Sequence, residues 1–311
     1  MPETPLAGIL NREETKKHAL ENFLEQIALL RDLADYGSNL VFRAYKSSAK
    51  DLPAIVVCGV LLKQVVAMVD AVYALVEQGM IHAAYLPARA AFEASVYLDW
   101  ILFSDAQRKA TAYIVSNFRD ERLWVARVTK GTPEEAVFDS IAKNLGLDIH
   151  ARRPTLAADA QRHLVEVNHI LAQTDFAMVD KEFDRVRGKR KHDPEWYEVC
   201  GVKSIKEVAK AVGRLPEYEF FYSKGSQVTH TASYKDHIRF ENKEIHFKQI
   251  RNLEGIDALL NFTVATAIRS FQNTLRYYRP AEIPAFARKY KNEWRSPFLT
   301  VKSVKYNYEG A

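Results

Sequence analysis

An arginine and a glutamate four residues apart are the first candidates for chemistry in this chain of 311 residues. Arg89 and Glu93 lie in an apolar segment that contains Leu86, Phe92 and Val96. In a helix, residues four apart share one face, so the carboxylate can hold the guanidinium in place. A guanidinium positioned in this way can bind an oxyanion such as a phosphate. The alternative is a buried ion pair that only fixes how the helices pack.

A serine and a histidine with the same spacing form the second candidate pair. Ser226 and His230 lie in a segment rich in hydroxyl side chains, which begins at Tyr222. A histidine among hydroxyl groups can act as a general acid or base near neutral pH. Ser226 could also be a nucleophile activated by His230, although no nucleophile-elbow motif surrounds it. A histidine held by hydrogen bonds in the core is the non-catalytic alternative.

A basic segment and a basic, aromatic tail are the candidate contacts for nucleic acid. The segment contains Arg187, Lys189, Arg190 and Lys191, and the tail comprises residues 281–311. Cations interleaved with aromatic rings suit single-stranded nucleic acid. A charged run is also typical of an ordinary solvated surface. The net charge of +5 permits an acidic partner without requiring one.

Motifs for metals and cofactors are weak in this sequence. Glu166 and His169 have the spacing found in di-iron carboxylate bundles, but such sites need two copies of the motif and the sequence contains one. Neither a glycine-rich phosphate loop nor a paired-cysteine zinc motif occurs. We therefore expect neither a metal nor a cofactor.

The elements that position these residues are predicted to be helices. Apolar residues recur with a spacing close to that of a helix turn, about 3.6 residues. Long helices are predicted at residues 12–47, 54–78, 81–104, 105–130 and 252–278. Residues 238–247 alternate around a polar turn, which is typical of a β-hairpin. The expected fold is therefore an all-α, multi-helix bundle of long antiparallel helices with a small β-hairpin.

The sequence predicts three regions. An N-terminal helix at residues 1–50 packs on a helical core at residues 51–280, and the basic tail at residues 281–311 follows. Between residues 174 and 201 the helical periodicity is lost, which predicts an exposed basic excursion from the core.

Cysteine usage and hydropathy bear on the compartment of the protein. Cys58 and Cys200 lie far apart, and the first residues lack the pattern of a signal peptide, so a reducing cytoplasm is expected. The most apolar stretch, residues 53–76, contains Lys63 and Asp70. A membrane span has few or no charges, so this stretch is predicted to be a buried helix, and no membrane contact is expected.

The order of the motifs resembles a known bacterial family. The run from Gly79 to Glu93 resembles the Arg-x3-Glu helix of the domain-of-unknown-function family 5677. The later pattern Tyr222-x3-Ser226-x3-His230 resembles that family as well. The resemblance covers residues 55–280. A helical bundle with a late histidine looks in turn like the HEPN group (higher eukaryote and prokaryote nucleotide-binding).

The resemblance implies a function in RNA or nucleotide chemistry. Many HEPN proteins are metal-independent ribonucleases of toxin and antiphage systems, and they often act as homodimers. On this resemblance Arg89 binds phosphate, Glu93 orients Arg89, His230 transfers protons, and Ser226 and Tyr222 are hydrogen-bonding partners.

This chain departs from the hallmark of the HEPN group, which is an arginine and a histidine separated by four to six residues. Gly225 stands five residues before His230, so Arg89 would have to supply the cation from another helix. The alternative function is a non-catalytic binding or regulatory bundle. In that alternative Arg89, Glu93 and His230 form a buried structural network.

Overall fold

The structure, a computed structural model, describes residues 7–46, 52–147, 153–229, 234–241 and 243–304. These residues are predominantly helical, which confirms the predicted all-α class. They fall into two compact units. Unit 1 comprises Met1–Ser104 and Ile205–Ala311, and unit 2 comprises Asp105–Ser204. The sequence predicted one core for residues 51–280, whereas residues 105–204 cluster as a unit of their own.

The described residues of unit 2 and of the first part of unit 1 are predominantly helical. Unit 1 begins with α1 (Ala7–Leu10), α2 (Arg12–Tyr45), α3 (Leu52–Glu77) and α4 (Ile81–Phe103). Unit 2 contains α5 (Ala106–Val128), α6 (Glu135–Asn144), α7 (Arg153–Leu171), α8 (Thr174–Arg187) and α9 (Trp196–Val199).

The second part of unit 1 contains shorter helices around one long helix. Its helices are α10 (Ile205–Ala211), α11 (Leu215–Glu217), α12 (Ser223–Thr229), α13 (Ile256–Tyr278), α14 (Ile283–Lys289) and α15 (Arg295–Leu299). One π-helical turn, Tyr218–Tyr222, leads into α12, and another, Tyr290–Trp294, leads into α15. Strands β1 (Ile238–Glu241) and β2 (Glu244–Phe247) form an antiparallel pair, which confirms the predicted hairpin.

The core of unit 1 forms where α3 packs against α2, α4 and α13. A close approach involves Gly37 of α2, where a Cβ atom would lie 2.5 Å from Val66 of α3 and 2.7 Å from Phe271 of α13. Phe271 is fully buried there. Each large apolar side chain buried in this way stabilises the fold by about 1.5–3 kcal/mol. A helix with neighbours on several sides has to be apolar almost all round, as α3 is.

Among the described residues, α3 is the one helix long and apolar enough to cross a membrane on length and composition alone. Half of its most apolar 18-residue window is buried inside unit 1. The packing of α3 against three other helices is that of a core helix, in agreement with the prediction from Lys63 and Asp70.

Two segments are more ordered than the sequence pattern predicted. Residues 174–187, predicted to be irregular, form α8, and its buried side chains are Val179 and Phe183. Residues 283–299, predicted to be a tail, form α14, a π-helical turn and α15. Trp294 is buried in this segment and donates its indole N–H to Asp32 Oδ2 at 2.5 Å. One buried tryptophan therefore fixes the segment on α2, a contact that local periodicity does not reveal.

Candidate functional site

Helices α4 and α12 approach each other at a glycine. A Cβ atom on Gly225 would lie 2.8 Å from the Cβ of Arg89 and 3.1 Å from the carbonyl oxygen of Tyr85. A separation of 2.8 Å between two carbon atoms is shorter than van der Waals contact, so residue 225 has no room for a side chain. The close packing of α4 and α12 is a physical reason why a glycine stands at position 225, five residues before His230.

Side chains from both sides of this contact hold Arg89. Its Nη2 donates to the hydroxyl of Tyr222 at 2.8 Å and lies 3.3 Å from Glu93 Oε1. Its Nη1 donates to Thr229 Oγ1 at 3.2 Å. The guanidinium carbon also lies 4.5 Å from the centre of the Tyr222 ring. Arg89 of α4 is therefore fixed by residues from the π-helical turn and from α12.

The hydroxyl of Tyr222 links Arg89 to Glu93. It accepts from Arg89 and donates to Glu93 Oε1. Burial raises the pKa of Tyr222, and the neighbouring Glu93 carboxylate raises it further, while Arg89 acts in the opposite direction. The hydroxyl therefore stays protonated at neutral pH. Tyr222 serves in this arrangement as a hydrogen-bond donor and not as a base.

The Arg89 guanidinium remains partly open to solvent. Its side chain is 20% exposed and that of Glu93 is 33% exposed. Burial by itself lowers the pKa of Arg89, but the hydrogen bond with Tyr222 and the charge of Glu93 outweigh it, so the pKa is raised. Arg89 is therefore a permanent cation. A guanidinium carries more N–H donors than the three that bond to described residues. The remaining donors suit an oxyanion.

The predicted acid–base residue, His230, lies outside the described residues. Its neighbour in sequence, Thr229, is exposed and accepts the hydrogen bond from Arg89. The same hydroxyl donates to the carbonyl oxygen of Gly225 at 2.9 Å. Ser226, the predicted partner of His230, is half-buried and has no hydrogen bond to a described residue. The structure thus joins Arg89, Glu93 and Tyr222 and brings Arg89 to the residue that precedes His230.

A second polar cluster, which the sequence patterns did not predict, lies on the same part of unit 1. The rings of His82 and His237 lie 4.8 Å apart, edge to face. Lys224 donates to Asp236 Oδ2 at 2.5 Å, and the same oxygen lies 3.9 Å from His82 Nδ1. Burial lowers the pKa of His82, and His237 lowers it further, whereas Asp236 raises it. His82 is therefore predominantly neutral at pH 7.

The sequence does contain a signal for part of this cluster. His82 precedes Arg89 by seven residues, which is about two helical turns, so both lie on the same face of α4. The contributions of Lys224, Asp236 and His237 come from distant parts of the chain and have no such local signal. Helix α12 contributes to both clusters. Its Lys224 donates to Asp236 in the His82 cluster, and its Thr229 accepts a hydrogen bond from Arg89.

The basic segment predicted to bind substrate belongs to unit 2. Arg187 donates to Asp184 Oδ1 at 3.0 Å and to Asp193 Oδ1 at 3.1 Å. Arg190 donates to Glu198 Oε2 at 2.7 Å. The other two predicted residues, Lys189 and Lys191, are exposed. Carboxylates therefore already engage two of the four cations.

The same carboxylates surround a buried arginine of unit 2. Arg119 donates to Asp193 Oδ2 at 2.6 Å, to Asp184 Oδ1 at 2.8 Å and to Asp180 Oδ1 at 2.5 Å. Its side chain is only 6% exposed. The adjoining cleft of about 580 Å³ is lined by side chains of both signs. These contacts indicate that much of the charge in this region stabilises unit 2.

Candidate metal ligands are dispersed in the described residues. Within those ranges, no group of three or more His, Cys, Asp or Glu side chains has the geometry of a metal site. His163, three residues before Glu166, lies 2.8 Å from Glu121 and 4.0 Å from Glu166.

Comparison with known proteins identifies the family of this chain, and that family is described as having no known function. No curated protein and no solved structure matches the chain. The family described as "Family of unknown function (DUF5677)" matches residues 55–245, which is more than half of the chain and includes Arg89, Glu93 and Tyr222. The chain therefore belongs to the DUF5677 family of unknown function.

Proposed function

We propose that the face of unit 1 formed by α4 and α12 binds a phosphate group of RNA or of a nucleotide and acts on it by proton transfer. Arg89 binds the phosphate, Glu93 and Tyr222 orient Arg89, and His230 is the general acid or base. The observation that supports this best is the 3.2 Å hydrogen bond from Arg89 to Thr229. It connects the arginine of one motif to the residue preceding the histidine of the other.

The proposed chemistry is that of a HEPN-like ribonuclease with its arginine moved to another helix. Arg89 would neutralise charge on the phosphate, and its fixed position would reduce the reorganisation needed in the transition state. Ser226 would supply a hydrogen bond to the substrate or to His230. The enzyme would act in the cytoplasm, in a toxin or antiphage system as the resemblance implies.

The decisive experiment is RNA cleavage by purified protein. Wild type is compared with His230→Ala, Arg89→Ala and the control His18→Ala, since His18 is exposed on α2. Loss of a general acid or base lowers a rate by about 10²–10⁴-fold. We expect such a loss for His230→Ala and Arg89→Ala, wild-type rates for His18→Ala, and unchanged cleavage after treatment with EDTA. A wild-type protein inert on RNA and nucleotides, or full activity in His230→Ala, would contradict the proposal.

The second candidate function is a non-catalytic binding or regulatory bundle. Its supporting observation is that Glu93 and Tyr222 already hydrogen-bond to Arg89 and to each other. On this alternative the network fixes the π-helical turn on α4, and the wild-type protein has no activity for the variants to lose. Arg89→Ala then changes stability alone.

A homodimer is the partner that the resemblance to the HEPN group implies. Support comes from apolar side chains exposed on neighbouring helices, with Phe42 of α2 69% exposed and Val60 of α3 50% exposed. Such surfaces are typical of protein contacts when they form a patch. Light scattering of the purified protein gives the mass directly, and a monomer at all accessible concentrations would exclude the dimer.

A further inference from the structure

A cleft of about 630 Å³ opens on unit 1 beside the C-terminal part of α4. Residues of α4, of the turn after α10 and of α13 line it. Its polar lining includes Asp99, Arg269, Asn273 and Arg276, and its aromatic lining is Phe103 and Tyr277. The volume is within the range of small-molecule sites, about 300–1,000 Å³.

Asp99 lies beneath this cleft, and its carboxylate accepts three hydrogen bonds from side chains around it. Its side chain is only 2% exposed. Asn273 Nδ2 donates to Oδ1 at 2.7 Å, whereas Arg269 Nε and Arg214 Nη1 donate to Oδ2 at 3.0 and 3.4 Å. A buried carboxylate bonded in this way orients its donors and does not need a further cation.

The two arginines that line the cleft differ in their partners. Arg269 is fixed by Asp99 and by the carbonyl oxygen of Val212, to which its Nη2 donates at 2.6 Å. Arg276 follows seven residues later on the same face of α13. It is exposed and has no ion pair with any residue in the described ranges. The cleft therefore presents one positioned guanidinium and one that is available to an anion.

Two arginines and two carboxylates form mutual ion pairs in and beneath the cleft. Arg214 is 1% exposed and is paired with Asp99 at 3.4 Å and with Glu217 at 3.4 Å. Arg269 is paired with the same two carboxylates, so Asp99 and Glu217 balance Arg214 and Arg269, and Arg276 adds one positive charge that these carboxylates do not pair. An unpaired guanidinium, Arg276, beside the positioned guanidinium of Arg269 favours an anionic ligand.

An aromatic ring lies at the same cleft. Phe103, the last residue of α4, leaves 72% of its surface exposed. An exposed ring beside cations suits a ligand that has a flat ring next to its negative charge, as a nucleotide does. We propose that this cleft is a binding site for a nucleoside monophosphate, with the phosphate on Arg276 and Arg269 and the base against Phe103.

This site is distinct from the proposed site at Arg89. Asp99 lies ten residues after Arg89 in α4, which corresponds to about 15 Å along the helix. The inference does not rest on the proposed function, because none of the residues around Arg89 lines the cleft. A single-stranded nucleic acid also carries bases and phosphate groups. The test therefore has to distinguish binding of a free nucleotide from binding of a nucleic-acid strand.

The test is calorimetric titration with AMP, adenosine, inorganic phosphate and a single-stranded adenine oligonucleotide. The variants are Arg276→Gln and the matched control Arg288→Gln, since Arg288 is an exposed arginine on α14 outside the cleft. Each is made in wild type and in an Arg89→Ala background, so that binding at Arg89 does not contribute. Circular dichroism confirms that every variant is folded.

We expect AMP to bind in the Arg89→Ala background and to lose affinity about tenfold or more in Arg276→Gln, but not in Arg288→Gln. Phe103→Ala is the second variant, and it should weaken AMP while leaving inorganic phosphate unchanged. The inference is overturned by lack of AMP binding up to about 1 mM, by equal losses in Arg276→Gln and Arg288→Gln, or by binding of the oligonucleotide without AMP.

Discussion

Gly225 of α12 lies directly against Arg89 of α4, and a Cβ atom on the glycine would be 2.8 Å from the Cβ of the arginine. This contact places the helix that carries Thr229 within hydrogen-bonding distance of the guanidinium. Because Gly225 has no side chain, α12 packs closely enough on α4 for Thr229 to contact Arg89.

Gly225→Ala should destabilise unit 1, because the added methyl group has to displace α12 or Arg89. Overpacking of this kind costs about 1–3 kcal/mol. Thermal unfolding followed by circular dichroism measures the loss. The control is Gly59→Ala in α3, where a Cβ atom would meet nothing within 4 Å. Because alanine favours helix over glycine, Gly59→Ala should stabilise the protein by up to about 1 kcal/mol. Equal effects at both positions would contradict the close contact.

Arg89→Ala should lower the free energy of unfolding by only about 1–2 kcal/mol. Removal of one partner of a fully buried ion pair costs about 3–5 kcal/mol. Here the Glu93 side chain is 33% exposed, so water can solvate the carboxylate that is left. Urea unfolding gives the value, and Tyr222→Phe should cost a comparable amount because Glu93 loses its hydroxyl donor. A loss above about 3 kcal/mol would show that the network is primarily structural.

Acidification should destabilise unit 1 through His82. Its pKa is lowered in the folded protein by burial and by His237, so the unfolded state binds the proton more readily. This contribution to stability is complete above the unfolded pKa, about 6.5, and is lost as the pH falls through the lower folded pKa. Asp236 opposes the shift and Lys224 reinforces it.

The measurement for His82 is urea unfolding over a range from about pH 8 to about pH 5. His82→Gln should flatten the decrease in stability at acidic pH relative to wild type. His18→Gln, which alters an exposed histidine of α2, should leave the decrease unchanged. The explanation is wrong if both variants follow the wild-type curve.

Arg119→Met should destabilise unit 2 strongly, because the buried guanidinium is bonded to Asp180, Asp184 and Asp193. Without it the three carboxylates repel one another, and we expect a loss of about 3–5 kcal/mol. Hydrogen exchange measures the effect locally, and we expect the amide groups of α5 and α8 to exchange faster in the variant. Arg162→Met is the control, since its side chain is 80% exposed, and it should change stability by less than about 1 kcal/mol.

The helical fold was predictable because its signals are local. The spacing of apolar residues specified α2, α3, α4 and α13, and alternation around a polar turn specified the hairpin at 238–247. The pairing of Arg89 with Glu93 was predictable for the same reason, since residues four apart in a helix are neighbours. The charged α8 was missed because its apolar side chains are few and its charges pair with distant residues.

The sequence alone determined which helix carries Arg89 and which residue stands beside it in that helix. Only the tertiary structure decided that Tyr222 and Thr229 hold the guanidinium, that His82 meets His237, and that Asp99 orients Arg269. Each of these contacts joins residues more than 130 positions apart. Such contacts depend on how whole helices pack, and packing is set by the shapes of many side chains together, down to the missing Cβ of Gly225.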